Sequence, residues 1–254
     1  MMGLGMIRIG TSGWHYKHWQ GPFYPEKLPA SRYLQYYQQQ FDTVEINNSF
    51  YRLPNPSTLE TWRDSTPPGF LFAVKASRFI THNKKLKDAQ GSFELFFERV
   101  VVLRKKLGPI LFQLPPRWGP DPERLDQFLA GLPRRLRCAF ELRNPEWFVP
   151  EVEAVLRKRR AAFCMYDIGG RQSPKTITAD FVYVRLHGPG GPYQGSYSDE
   201  ALAEWARDFR RWQYEGLDVY CYFDNDQAGY AAADALRLKA LCESGAKGRG
   251  RAHG

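Results

Sequence analysis

Eight short runs of apolar residues recur along the chain, and each has the length of a β-strand. Segments with the apolar spacing of a helix lie between most of these runs, and one closes the chain. Parallel neighbours need a crossover long enough to hold a helix, so the alternation predicts a parallel sheet. Eight repeats predict an α/β fold, a (β/α)8 TIM barrel. The predicted strands are Ile7–Ser12, Thr43–Ser49, Phe70–Ala76, Ile110–Pro115, Cys138–Arg143, Ala161–Asp167, Phe181–Gly188 and Val219–Asp226.

Two crossovers are expected to be irregular. The second, residues 53–69, is rich in proline and offers a short helix around Leu59–Arg63, while the sixth, residues 168–180, offers none. We expect residues 1–243 to form a single TIM-barrel domain and the glycine-rich basic residues 244–254 to form a disordered tail. The predicted helices are Ser31–Gln40, Phe93–Leu107, Pro122–Ala130, Pro150–Arg160, Asp199–Tyr214 and Ala228–Cys242.

The two-residue period of a strand sorts its side chains into two faces. In the second strand Val44 and Ile46 form the apolar face, which must pack against helices, so Glu45 and Asn47 point into the barrel. The same sorting sends a polar group inward near the C-terminal end of nearly every strand, where TIM barrels carry their active sites. The predicted inward set is Ser12, Glu45, Asn47, Lys75, Gln113, Glu141, Arg143, Asp167, Arg185, His187 and Asp224.

These residue types suit acid/base chemistry on an anion. Glu141 or Glu45 would act as general base or acid, His187 would transfer or orient a proton, and Lys75 would stabilise negative charge. We therefore predict Glu45, Lys75, Glu141 and His187 as catalytic. Two aromatic residues join the predicted substrate-binding set, because flat ring faces suit a sugar or a base. That set is Ser12, Trp14, Asn47, Tyr51, Gln113, Arg143, Asp167, Arg185 and Asp224.

The structural alternative is a salt-bridge network that only closes the mouth of the barrel. Buried charges are costly unless they are paired, and apolar layers could replace a network with purely structural duties. If the cavity is instead open to an anion, its cations are underpaired. Removal of Lys75 or Arg185 is then expected to leave the melting temperature unchanged or raise it.

The sequence carries no familiar motif for a metal site, a nucleotide site or a membrane helix. No Walker-type loop, strand-linked GxGxxG, HExxH or GxSxG motif occurs, and the four cysteines are not paired as in a zinc site. Glu45, Glu141, Asp167 and His187 could assemble a metal site, but three nearby cations would repel the metal, so we predict no metal and no cofactor. No apolar run approaches the ~20 residues of a membrane helix, and the N-terminus does not resemble a secretion signal, so we expect a cytoplasmic protein.

Three functions compete. The favoured one is an enzyme that acts on a small anionic or sugar-like substrate without an obligatory metal. The net charge of +9 also suits nucleic acid as a partner, with basic helices and the tail following phosphates and loop aromatics stacking on bases. This alternative is less favoured, because charge of the whole protein concerns association and does not define a site. The third is a ligand-binding protein without turnover.

Seven segments together resemble the YecE-like family, a domain-of-unknown-function family. The match extends in order from about Ile7 to Cys242, and the resemblance implies a (β/α)8 barrel without supplying a reaction. Family members often carry histidine where this chain has Asn144, so no proton transfer is assigned there. The segments are IGTSGW at 9–14, FDTVEINNSFYRLP at 41–54, VKASRFITH at 74–82, LFQLPP at 111–116, ELRNPEW at 141–147, YVRLHG at 183–188 and YFDND at 222–226.

Overall fold

The structure is a computed structural model that describes residues 3–87 and 89–247. Contacts within the chain divide it into two compact units. Unit 1 comprises Met1–Asp42, Tyr166–Ser173 and Val184–Gly254, and unit 2 comprises Thr43–Met165 and Pro174–Tyr183. The prediction of a single domain stays a prediction.

Eight parallel strands confirm the α/β fold of the TIM-barrel class. Their order is β1-β9-β8-β6-β5-β4-β3-β2, and the short β7 pairs antiparallel with β6 inside the sixth crossover. Each of the eight corresponds to one predicted run, although several end earlier than predicted. The strands are β1 Ile7–Thr11, β2 Thr43–Ile46, β3 Leu71–Lys75, β4 Leu107–Leu114, β5 Cys138–Leu142, β6 Ala162–Ile168, β7 Arg171–Gln172, β8 Phe181–Leu186 and β9 Asp218–Phe223.

The helices follow the predicted spacing. The second crossover holds a longer helix than predicted, and the sixth holds none within the described residues, as predicted. The last helix includes residues 244–247 of the predicted tail, and residues 248–254 lie outside the described residues. Along the described chain, no helix is both long and apolar enough to cross a membrane. The helices are α1 Tyr33–Tyr37, α2 Pro56–Asp64, α3 Ala89–Val100, α4 Pro122–Ala130, α5 Pro150–Arg159, α6 Asp199–Tyr214 and α7 Tyr230–Lys247.

Local chemistry explains why α4 and α6 begin where the sequence predicts. The Asp121 side chain accepts a hydrogen bond from the backbone N–H of Arg124 at 3.0 Å, and Pro122 occupies the first turn of α4. The Ser198 hydroxyl accepts from the N–H of Ala201 at 3.2 Å at the start of α6. Each cap satisfies a backbone donor that the helix leaves without a partner.

In unit 2 the apolar face of the sheet packs against α3 and α4. Phe112 of β4 lies 5.0 Å from Phe140 of β5, measured between ring centroids, and 5.2 Å from Phe128 of α4. Phe93 of α3 lies 6.3 Å from the same Phe112 ring. Since Phe112 and Phe140 belong to the apolar parity set, the alternate polar residues of these strands occupy the opposite face.

In unit 1 the loop after β1 is an aromatic core. Tyr24 stacks on Tyr33 at a centroid distance of 4.2 Å, and its hydroxyl donates to the backbone oxygen of Trp14 at 2.5 Å. The Tyr37 hydroxyl accepts from the backbone N–H of Thr11 at 3.0 Å, and burial raises the pKa of Tyr37. These rings therefore fix the path of the loop.

The backbone at Gly188, two residues after the end of β8, requires glycine. Its φ is +109°, and an added Cβ would lie 2.3 Å from the backbone oxygen of Gln194, whereas at Gly190 the nearest atom would be 3.8 Å away. We predict that Gly188→Ala lowers the free energy of unfolding by more than about 2 kcal/mol, because strain and overlap add. Urea denaturation measures the effect. Gly190→Ala is the matched control, and equal losses in both variants would contradict the prediction.

Candidate functional site

A buried group of four polar side chains occupies the ends of β1, β8 and β9 in unit 1. Arg185 donates through Nη2 to Asp224 Oδ2 at 2.9 Å and to Ser12 Oγ at 3.2 Å. His187 Nδ1 lies 3.1 Å from the same Asp224 oxygen, and Arg185 Nη1 lies 3.3 Å from His187 Nε2. Arg185 and His187 are fully buried. We name these four residues the unit 1 group.

Donor chemistry fixes the tautomer of His187. A guanidinium has only donors, so His187 Nε2 must accept from Arg185. Nδ1 therefore carries the hydrogen and donates it to Asp224. The Asp224 carboxylate both orients the imidazole and neutralises Arg185, which is an arrangement that can hold a proton at a defined nitrogen.

The loop from Gly188 to Tyr197 lies against His187. The backbone N–H of Tyr193 donates to the His187 oxygen at 2.6 Å, and the Tyr193 ring lies perpendicular to the imidazole at 5.5 Å. The buried Asp167, at the end of β6, accepts from the His187 N–H through its backbone oxygen at 2.8 Å. The main chain of Asp167 therefore helps to hold the backbone of His187 in position.

Sequence reasoning missed the carboxylate that secures this loop. Asp234 of α7 is fully buried and accepts from the Ser196 hydroxyl at 2.7 Å, the Tyr197 N–H at 2.9 Å and Asn225 Nδ2 at 2.8 Å. Arg237 supplies its counter-charge at 2.8 Å. Asn225 belongs to the YFDND segment, so the sequence could have indicated its importance. Its partner Asp234 lies in a helix that carries no recognisable motif.

In unit 2 the strand register brings polar residues of neighbouring strands onto one face. Gln113 of β4 pairs with Glu141 of β5, and Lys75 of β3 pairs with Leu111, which lies two residues before Gln113 on the same face. Glu45 of β2 pairs with Ala73, two residues before Lys75. The face opposite α3 and α4 therefore carries a row of polar side chains near the strand ends. We name Glu45, Lys75, Gln113, Glu141 and Arg143 the unit 2 group.

The charged members of this group are buried with specific contacts. Glu141 is fully buried and forms a hydrogen-bonded ion pair with Arg143 Nε. Glu45 is fully buried and accepts a hydrogen bond from the Tyr183 hydroxyl at 2.7 Å. Lys75 is 7% exposed, and its Nζ lies 4.3 Å from the centroid of the Phe50 ring. One carboxylate thus has a cationic partner and the other a neutral donor.

Three predicted ligand contacts differ in accessibility. Asn47 follows β2, and its buried Oδ1 accepts no hydrogen bond from residues 3–87 or 89–247. Tyr51 is 75% exposed, with its ring perpendicular to Phe50 at 5.0 Å. Trp14 is 7% exposed and belongs to the aromatic loop of unit 1. Tyr51 can therefore receive a ligand directly, whereas Trp14 offers little surface.

His82 is a second residue outside the predicted site, because its segment of the sequence carries no signal of burial. It lies in a π-helical turn, Phe79–Asn83, a geometry frequent at functional sites. Its ring is perpendicular to Phe50 at 5.1 Å, and its Nδ1 lies 2.9 Å from the Thr81 hydroxyl. Burial, with smaller effects of Arg78 and Lys75, lowers the pKa of His82.

The predicted residues thus fall into two groups, one in each unit. Ser12, Arg185, His187 and Asp224 contact one another, and the polar residues of β2–β5 share one face. The convergence of both groups on one cavity stays a prediction. No cluster of three or more His, Cys, Asp or Glu side chains suited to a metal occurs in the part of the chain that the structure describes.

The alternation of strands and helices, with polar groups at the strand ends, defines an α/β protein of the TIM-barrel class. The crystal structure of a DUF72 family protein from Thermotoga maritima has this fold, with a TM-score of 0.84 and 28% sequence identity. The match covers 94% of this chain and 99% of that one. Residues 8–252 match the family described as "Protein of unknown function DUF72", and the chain belongs to that family.

Two further relatives confirm the resemblance to YecE-like proteins. The UPF0759 protein YunF of Bacillus subtilis is 28% identical over 272 residues, which covers 94% of this chain and 95% of YunF. The UPF0759 protein YecE of Escherichia coli is 31% identical over 144 residues, which covers 56% of this chain and 50% of YecE.

The geometry reverses the expected effect of removing Arg185. The cation is paired with Asp224, so its loss would leave a buried carboxylate with less compensation. We predict that Arg185→Met lowers the free energy of unfolding by about 3 to 5 kcal/mol, and that adding Asp224→Leu recovers part of the loss. Chemical denaturation measures both variants. Arg134→Gln, at an exposed position, is the control, and an Arg185 variant as stable as this control would contradict the pairing.

The lowered pKa of His82 predicts a pH dependence of stability. Below about pH 6.5 the unfolded chain binds a proton that the folded protein resists, so the contribution of His82 is complete above that pH and declines below it. His82→Gln should therefore lose less stability than the wild type between pH 7 and pH 5. Denaturant titrations over this range provide the measurement. The two profiles should run parallel above pH 7, and parallel profiles throughout would contradict the prediction.

Proposed function

We propose that the protein is an enzyme that acts on a small anionic or sugar-like substrate by acid/base chemistry without an obligatory metal. Glu45, Lys75 and Glu141 of unit 2 and His187 of unit 1 are the candidate catalytic residues. The observation that carries the proposal is the burial of Glu45, Lys75 and Glu141 on one sheet face close to the C-terminal strand ends. Burial of several ionisable groups is expensive, and such groups concentrate at functional sites.

The contacts of the two glutamates support different roles. The guanidinium of Arg143 stabilises negative charge on Glu141, which suits a general base that begins the reaction ionised. Glu45 accepts a hydrogen bond from the neutral Tyr183 hydroxyl, which suits a group that gains and releases a proton. In unit 1, Asp224 holds His187 in one tautomer for a proton transfer.

Binding chemistry supports a hydroxylated, negatively charged substrate. Lys75 and Arg143 provide positive charge on the unit 2 face, and the net charge of +9 attracts anions to the protein. The buried Oδ1 of Asn47 is an acceptor without a donor in the described chain, which suits a substrate hydroxyl. Gln113 adds an amide to the same face as Glu141.

A thermal-shift screen with phosphosugars, sugar acids and nucleotides identifies a ligand, because a compound that binds the folded state raises the melting temperature. Turnover of each stabilising compound is then followed by NMR with protein dialysed against a chelator. We expect Glu141→Gln to reduce the rate by about 100-fold or more while ligand binding persists. Lys75→Met should reduce the thermal shift.

Glu94→Gln makes the same chemical change on the exposed face of α3 and is the matched control. It should leave both rate and binding unchanged. The proposal is wrong if no compound in the screen stabilises the wild type and Lys75→Met markedly destabilises the protein. Binding with no turnover of any compound would instead favour a ligand-binding protein.

A further inference from the structure

A groove of about 430 Å³ lies in unit 2 beside the second crossover. One wall comes from the turn after β2, with Asn48, Tyr51 and Arg52, and the other comes from α2. Asn55, Thr58 and Trp62 follow one another at intervals of three and four residues, so they share one helix face. The volume is within the range of small-molecule sites.

Most polar side chains of this groove are not used by the fold. Asn48, Arg52, Asn55 and Thr58 form no side-chain hydrogen bond or ion pair with the described residues. Asn55 is the N-cap residue of α2, where an asparagine side chain normally accepts from the helix backbone, yet it forms no such bond. Two amides, a hydroxyl and a guanidinium therefore remain available to a ligand.

The groove adjoins the unit 2 group through a single aromatic ring. Tyr51 packs on Phe50 at 5.0 Å, and the opposite contact of Phe50 is with Lys75 Nζ at 4.3 Å from the ring centroid. Asn48 directly follows Asn47, whose Oδ1 is the buried acceptor described above. Phe50 therefore connects the groove wall to Lys75 through direct side-chain contacts.

We propose that this groove binds one ring of a carbohydrate that carries a carboxylate or a phosphate. The faces of Tyr51 and Trp62 would contact the apolar C–H face of the ring, and the amides of Asn48 and Asn55 would bond to its hydroxyls. Arg52 would bind the anionic group, since a guanidinium matches carboxylate and phosphate geometry. The choice of a sugar rests on the proposed function and narrows its substrate to an extended anionic saccharide.

Calorimetric titration with glucuronate, glucose 6-phosphate and glucose tests the groove directly. We expect both anions to bind about tenfold more tightly than glucose. Arg52→Gln should remove that difference and leave glucose affinity within about twofold, while Tyr51→Ala should weaken all three probes by about fivefold or more. Arg134→Gln removes an exposed arginine elsewhere in unit 2, and Tyr214→Ala removes a half-exposed tyrosine in unit 1, so they control for net charge and for truncation.

Comparison of the two anions distinguishes a sugar acid from a phosphosugar, and either result supports the groove. The proposal is overturned if none of the probes binds, or if Arg52→Gln and Arg134→Gln weaken the anions equally. Adenosine monophosphate binding far more tightly than glucose 6-phosphate, with dependence on Tyr51, would overturn it in favour of a base-stacking site.

Glu141→Gln separates this proposal from the proposed function. We expect it to retain binding of the single-ring probes and to lose only turnover. Probe binding that depends on Glu141 and not on Tyr51 would place the probes at the strand ends and overturn the groove. Groove binding with no turnover of any saccharide would leave the groove standing and refute the enzyme.

Discussion

The alternation of side chains along each strand is the constraint on which this molecule depends. Phe112 stacks on Phe140 and packs against Phe128 and Phe93 of the neighbouring helices. Every second residue is then forced onto the other face, whatever its chemistry. Gln113 and Glu141 are polar at such positions, so the apolar packing and the polar row are two results of one register.

Burial of the polar side chains in each unit has a cost in desolvation, which their contacts offset to different extents. In unit 1, Arg185 and Asp224 form an ion pair. His187 Nδ1 contacts the same carboxylate oxygen of Asp224. In unit 2, Glu141 has Arg143 on its own strand two residues later. Such pairs are weak evidence of added stability, because desolvation cancels much of the attraction. Their presence is more easily explained by a task that apolar residues cannot perform.

Most of the fold could be predicted from the sequence, whereas the contacts among the polar residues could not. The boundaries of α4 and α6 were readable because caps and apolar spacing are local. Parity is also local, so Glu45, Lys75 and Glu141 were placed on the correct face. The partner of Arg185 was not readable, since Asp224 lies 39 residues away and the sequence alone left that cation underpaired.

The remaining omissions have the same physical origin. Asp234 stands in a helix without a motif, and its partners Ser196 and Tyr197 lie 38 and 37 residues earlier. His82 was not predicted, because nothing in its neighbours along the chain shows that Phe50 packs against it. Trp14 was selected for its aromatic face, which the packing of its loop largely covers. In each case the environment of the side chain depends on residues that are distant in the sequence.

The bonds of Asp234 have a consequence for how unit 1 opens. One carboxylate on α7 holds a loop amide, a loop hydroxyl and the Asn225 side chain after β9, so the helix cannot leave without freeing all three. The loop and α7 should therefore behave as one cooperative unit of local unfolding, or foldon. The Tyr197 amide would then exchange its hydrogen at the rate at which α7 opens, although it lies outside any helix or strand.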